Sequence, residues 1–263
     1  MSGSGATVLV REGVLRLTFE RPEKCNAIDR AMEEVLRSCA AELESRDDLR
    51  VLLIRAAGRY FSAGFDVSGR VAEMSRLEGS AYRRAYREMH ELFDAFERSE
   101  KPSLVALQGP CLGGALELAL SCDFRIAAEA ASFRFPEVEL GVVPGSGGIS
   151  RLTRLVGPGW ARWLAVAGEP VTARQALEIG LVHEVVPDDA LEQRVDRLAA
   201  RLAALPREAV GLAKLAIDTC ERLDRGSARD VERIVNSLLV PADEHAAGLA
   251  GLRSDRKGAG DGG

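Results

Sequence analysis

The chain has 263 residues, 46% of them hydrophobic and 29% charged, which suits one large domain or a domain with a smaller appendage and excludes global disorder. Lys and Arg total 35 against 40 Asp and Glu, a formal net charge of −5 that argues against a general nucleic-acid or anionic-membrane binder. The five cysteines are widely spaced, odd in number and without a CxxC pair, so they read as reduced thiols, not as a disulfide framework or a zinc site.

The N-terminal residues lack the basic region and apolar run of a signal peptide, and no stretch approaches the ~18 apolar residues of a membrane span, so a cytoplasmic protein is expected. Residues 7–10 and 14–19, joined at Glu12-Gly13, read as a β-hairpin. Past Arg21-Pro22 a helix is expected from Asp29, an N-cap residue with Glu33 and Glu34 in the first turns. Its apolar positions Met32, Val35, Leu36, Cys39, Ala40 and Leu43 keep one face. Residues 51–54 form a continuous apolar run of strand length, as in a strand buried on both sides. The theme recurs: a strand at 103–107, a turn at Gln108-Gly109-Pro110, a helix over 112–121, then short strands at 124–127 and 132–135. Strand, turn, helix and strand in this order give an α/β pattern. From about Trp160 the chain turns helical, at 160–167, 173–179, 190–205, 207–222 and 228–239, with one strand at 182–186. Apolar stripes in this last third exceed what one surface would leave bare, which points to oligomerisation.

Two segments carry candidate chemistry. Gly113-Gly114 at a helix start lets backbone approach closely and leaves amide N–H groups free for an anion or a developing oxyanion. Glu117, four residues after Gly113, stands alone in the apolar stretch Ala-Leu-Glu-Leu-Ala-Leu with no base at helical spacing. Desolvation there would raise its pKa toward proton transfer, whereas the plain alternative is a surface glutamate on an amphipathic helix. The second segment runs from Pro136 to Gly148 and holds Glu137, Glu139 and a glycine-rich stretch that fits neither a dinucleotide fingerprint nor a P-loop. Spacing does not choose between Glu137 and Glu139. A rival pattern is Gly109-Pro110-Cys111-Leu112-Gly113, a nucleophile elbow with cysteine for serine, whose partners would be Asp188 or Asp189 and His245. That reading makes the chain a cysteine-dependent α/β-hydrolase. No metal-ligand spacing occurs, and His90 and His183 read as surface or core residues.

Four stretches in register resemble the enoyl-CoA hydratase/isomerase (crotonase) family. They are Arg21-Pro22 with Asn26-Ala27; Phe61-Ser62-Ala63-Gly64-Phe65-Asp66; Gly109 to Glu117, continuing to Cys122-Asp123; and Phe135-Pro136-Glu137 through Leu140-Gly141 and Pro144-Gly145-Ser146-Gly147-Gly148 to Arg151-Leu152. The resemblance implies a spiral of ββα units over residues 1–195 and a C-terminal helical oligomerisation region over 196–255, and the glycine-rich tail at 256–263 reads as disordered from its own composition. It implies an acyl-CoA thioester substrate and a homotrimer or hexamer. Metal, separate cofactor, nucleic acid and membrane have no part in that picture, since coenzyme A belongs to the substrate. By the resemblance Glu117 and Glu137 are the catalytic acids, while the amides of Ala63 and Gly114 form the oxyanion hole. Gly64, Phe65, Asp66 and Gly145 join Ala63 and Gly114 at the substrate, with Asp66 holding its loop and Gly145 beginning a helix; Lys24 is a candidate for a CoA phosphate by its charge and position alone. The implied reaction is hydration of a trans-2-enoyl-CoA; double-bond isomerisation, racemisation, hydrolysis and retro-aldol cleavage are the family's other reactions. Phe65 departs from the smaller residues frequent at its place. Leu252 and Asp255 stand where the family's Phe and Lys reach a neighbouring subunit's CoA, with Arg256 or Lys257 as substitutes.

Overall fold

The computed structural model describes residues 5–249, which divide between Ala203 and Ala204 into two compact units. Leu252, Asp255, Arg256, Lys257 and the expected tail lie outside the described residues.

The first unit opens with the hairpin β1 (Ala6–Arg11) and β2 (Val14–Phe19), whose turn residues Glu12 and Gly13 have φ of 52° and 75°. Positive φ at both positions is what a two-residue hairpin turn needs to follow the strand twist. Helix α1 (Arg30–Ser45) then carries the chain to β3 (Val51–Ala56), which pairs parallel to β2. Asp29 caps α1 by accepting the Met32 N–H at 3.0 Å. A turn at Val67–Val71, the short α2 (Ala72–Met74) and the long α3 (Gly79–Arg98) lead to β4 (Ser103–Leu107). After β5 (Cys111–Leu112), α4 (Gly114–Ser121) crosses to β6 (Phe124–Ala128). Next come β7 (Ser132–Arg134), α5 (Gly148–Ala165), β8 (Val171–Thr172), α6 (Ala173–Glu178), β9 (Glu184–Val186) and α7 (Leu191–Ala203).

The main sheet has the order β1-β2-β3-β4-β6-β9, and all its pairings are parallel except β1 with β2. A smaller sheet orders β5-β7-β8. Alternate residues of the parallel strands feed two cores. Leu15, Leu17, Leu52, Ile54, Val105 and Leu107 pack with α1, α3 and α4, while Val14, Val51, Leu53, Leu104 and Ala106 pack with α7. A strand covered on both faces has no polar side to alternate with, hence the unbroken apolar runs. The mixed α/β unit followed by helices is the expected fold class. The second unit holds α8 (Arg207–Cys220) and α9 (Arg225–Leu239), the latter capped by Asp224, which accepts the N–H groups of Gly226 and Ser227.

Besides the short α2, β5 and β8, which were not expected, two longer helices depart from expectation. Helix α3 was not anticipated, although Met89, Leu92, Phe93 and Phe96 on its inner face keep helical spacing. Helix α5 begins at Gly148 instead of near Trp160, because Gly157 (φ 74°, ψ 166°) with Pro158 breaks it into two pieces, of which only the second read as helical.

Candidate active site

The site is a cleft of about 150 Å³ walled by the loop after β3, the turn and helix at 67–74, α3, the start of α4 and the 136–146 segment. Glu117 and Glu137 both line it, with Ala63, Phe65, Gly114 and Gly145.

Glu117 lies on α4, whose eight residues are all buried, and is itself 2% exposed. Its Oε1 accepts the Ser146 N–H at 2.7 Å and the Gly148 N–H at 3.0 Å. Those amides belong to the N-terminus of α5, where orphan donors and the helix dipole favour a negative charge. Glycine at 148 allows this contact, since a β-carbon there would lie 2.6 Å from Glu117 Oε1 and push the carboxylate away. Arg151 fixes the same loop, its Nη1 donating to the Ser146 carbonyl at 3.1 Å and its Nε to Glu97 on α3 at 2.9 Å. Burial raises the Glu117 carboxyl above its ordinary value, and the Gly148 and Ser146 amides and the positive charge of Arg151 offset this only in part.

Glu137 has the opposite surroundings. It opens the 3₁₀ turn Glu137–Leu140, and its buried Oε2 has no hydrogen-bond partner among the described residues. Burial first, and the charge of Glu117 in addition, raise its carboxyl to about 7 against the pull of its own backbone amide. Glu139, which spacing could not separate from it, is exposed and paired with Arg134. Burial raises both carboxyls, and they differ in their donors: two amides solvate the charged form of Glu117, whereas Glu137 Oε2 has none among the described residues.

The 61–66 loop requires one correction. The Ala63 N–H donates to the Cys25 carbonyl at 2.9 Å and is therefore not free for an oxyanion. Ile28 donates to the Gly64 carbonyl and accepts the Asp66 N–H, so Phe65 bridges to Ile28 with its own N–H turned to the other side. Phe65 and Gly114 are the two residues here whose N–H groups have no acceptor among the described residues. Their segments touch: a β-carbon on Gly64 would lie 2.7 Å from the Leu112 carbonyl and 3.1 Å from the Gly114 nitrogen. The Phe65 ring stacks on Phe93 at 6.1 Å and lies over Gly114, where a β-carbon would meet it at 2.3 Å.

Asp66 does hold its loop, accepting from the Ser68 hydroxyl at 2.8 Å and from the Ser68 and Gly69 amides at 3.0 and 3.2 Å. The Ser68 hydroxyl and Gly69 amide lower its carboxyl most, with the charge of Lys24 adding to them. Lys24 is exposed in the turn Pro22–Lys24 and is not among the residues of the cleft wall. Gly145 lies before the helix instead of beginning it; its carbonyl accepts from His90 Nε2, and its Cα packs on the Tyr86 hydroxyl. Cys111 is a fully buried strand residue whose thiol burial pushes well up, and Asp188 is engaged by the Ala130 N–H at 3.0 Å. A buried neutral thiol is no nucleophile, so the hydrolase pattern fails. Among the residues missed from sequence are Tyr86 and Met89, which come with α3, and Arg70, Val71 and Met74 in and after the 67–71 turn.

Two carboxyls raised by burial beside two free amides, on a parallel α/β unit, define a site built for proton transfer at an activated carbonyl compound. The enoyl-CoA hydratase/isomerase family model matches residues 10–253, and the chain belongs to that family of crotonase-kind enzymes. It is 36% identical to an enoyl-CoA isomerase/hydratase of Mycosarcoma maydis, over 93% of this chain and 91% of that one. It is 33% identical to a crotonyl-CoA hydratase of Syntrophomonas wolfei, over 95% of each. The crystal structure of an enoyl-CoA hydratase from Bacillus anthracis superimposes with a TM-score of 0.88 at 30% identity, covering 95% of this chain and 96% of the other.

Proposed function

We propose that this chain adds water across the 2,3 double bond of an enoyl-CoA thioester. The observation that carries the reading is the contrast between the two carboxyls: Glu117 held by amide donors, and half-buried Glu137 with a buried oxygen that has no partner among the described residues. Glu117, whose charged form the Ser146 and Gly148 amides solvate, takes a proton from water as the water oxygen bonds to the β-carbon. The electron pair of the double bond moves to the α-carbon and into the thioester, where the Phe65 and Gly114 amides hold the enolate-like oxygen. Glu137, protonated, then delivers its proton to the α-carbon. Each such amide donor is worth about 2.7–4 kcal/mol at the transition state. These steps call on no metal and no separate cofactor; coenzyme A enters as part of the substrate. Lys24, exposed near Asp66, is placed by its charge for a CoA phosphate, and the exposed Ile217, Ile234 and Leu238 of α8 and α9 support assembly as a trimer or hexamer.

Crotonyl-CoA absorbance at its enoyl-thioester band should fall on adding the protein; a flat trace sinks the hydratase reading. The second reading is isomerisation, favoured by a Glu137 that titrates near neutrality and could shuttle a proton alone. A trans-3-enoyl-CoA converted to its 2-enoyl isomer faster than water adds to the product would select it.

A further inference from the structure

The proposed chemistry leaves one charged group of the cleft wall unused. Arg70, in the turn Val67–Val71, lines the cleft and yet is only 4% exposed. Its Nε donates at 2.6 Å to Oε1 of Glu33, itself buried in the first turn of α1. Its Nη1 stands 3.8 Å from Glu73, a charge contact too long for a hydrogen bond. The remaining N–H groups, all on the two Nη atoms, have no hydrogen-bond acceptor among the described residues.

Beside Arg70 the wall is apolar, built from Val67, Val71, Met74 and Met89. An unsubstituted alkyl chain is served best by a wall that is apolar throughout. A buried ion pair does not explain itself by stability, because a well-packed apolar pair of similar volume is often as stable or more so. A guanidinium with unfilled donors at a cleft wall is instead a strong hydrogen-bonding site. The surrounding charges say for what. Arg70 and Arg30 face Glu33 and Glu73, two charges of each sign, and the next ones out, Arg76 and Glu88, also cancel. An incoming carboxylate meets no net positive charge there, whereas a neutral oxygen meets free donors.

We propose that Arg70 makes this site selective for thioesters whose acyl chain carries an uncharged hydrogen-bond-accepting oxygen, a hydroxyl or carbonyl, beyond the double bond. This rests on the acyl-thioester reading above and names the acyl class within it.

Saturated thioesters cannot be hydrated, so their binding tests this inference apart from turnover. Calorimetry on the full chain should compare hexanoyl-CoA with analogues hydroxylated on the fourth, fifth or sixth carbon, and with adipoyl-CoA. At least one hydroxylated analogue should bind about 10-fold or more tightly than hexanoyl-CoA, from one charge-assisted hydrogen bond. That ratio should collapse in Glu33→Gln/Arg70→Met, which removes both charges together, and shrink in Arg70→Lys, which keeps the charge and loses the fork. Equal binding of plain and hydroxylated chains by the wild type overturns the proposal, whether or not either variant folds. A ratio that survives in the double variant overturns it too, and adipoyl-CoA binding tightest overturns the choice of a neutral oxygen. A flat crotonyl-CoA trace with the binding ratio intact removes hydration and leaves this inference standing.

Discussion

Raising the pH through neutrality should act on Glu137 in two measurable ways at once. Burial and the neighbouring Glu117 lift its carboxyl from the ordinary 4.5 to about 7. As the proton donor of hydration it is competent only while protonated, so kcat/KM should fall about tenfold per pH unit above roughly 7. The same displacement is linked to folding. In the window from 4.5 to about 7 the native chain keeps a proton that the unfolded chain has released. Stability is therefore fully present below the lower value and falls as pH rises through the upper one. The loss levels off at up to about 3 kcal/mol. Glu137→Gln removes that cost. At about pH 8 the variant should melt some 4–10 °C above the wild type, and near pH 4 the two should coincide. Its kcat should nonetheless drop about 10²-fold or more. Thermal unfolding at the two pH values, beside a kcat/KM profile with crotonyl-CoA, tests both limbs. A variant no more stable than wild type at pH 8 would refute the buried, proton-holding Glu137, as would a wild-type profile flat to pH 9.

The other predictions are tested more simply. Gly148→Ala places a β-carbon 2.6 Å from Glu117 Oε1, displacing the carboxylate from its amides; kcat should fall about 10²-fold, and near-normal turnover would remove those amides from the mechanism. Gly114→Ala drives a β-carbon to 2.3 Å from the Phe65 ring and so disturbs both free amides. The loss should reach about 10²–10³ in kcat, with KM moving much less. A change in KM alone would mean that the amides bind substrate and transition state alike. Iodoacetamide should leave Cys111 unlabelled in the native protein, since the thiol is buried and its pKa raised; fast labelling with loss of activity would bring the thiol chemistry back.

Most of the sheet was legible because its strands are covered on both sides, leaving the bare apolar runs at 51–54 and 103–107. Helix α1 was legible by its cap and its period, yet the same period hid Glu33, a buried acid whose partner lies 37 residues on at Arg70. No local pattern carries a pair so separated. Helix α3 escaped notice because its first half is rich in arginine and its buried side chains begin only at Met89. Losing it also lost Tyr86 and the cleft wall it forms. At the oxyanion position, residue type was no guide. Which amide of the 61–66 loop stays free depends on its hydrogen bonds to residues 25–28, and those satisfy Ala63 while turning Phe65 outward.

The two catalytic carboxyls differ for a reason that lies in backbone direction and not in their side chains. Each packs against a glycine at the start of a helix. Gly148 offers Glu117 its N–H, and Ser146 offers a second, so the negative form is solvated by protein. Gly113 lies as close to Glu137, since a β-carbon there would stand 2.7 Å from Oε1. But Gly113, with φ of 53°, directs its N–H to the Arg134 carbonyl at 3.0 Å. Glu137 therefore gains the desolvation of a glycine contact without that glycine's N–H, and its Oε2 is left with no donor among the described residues. Glu117 alone can be suspected from sequence, as an acid in an apolar helix. The division of labour between the pair follows from where two glycine amides point.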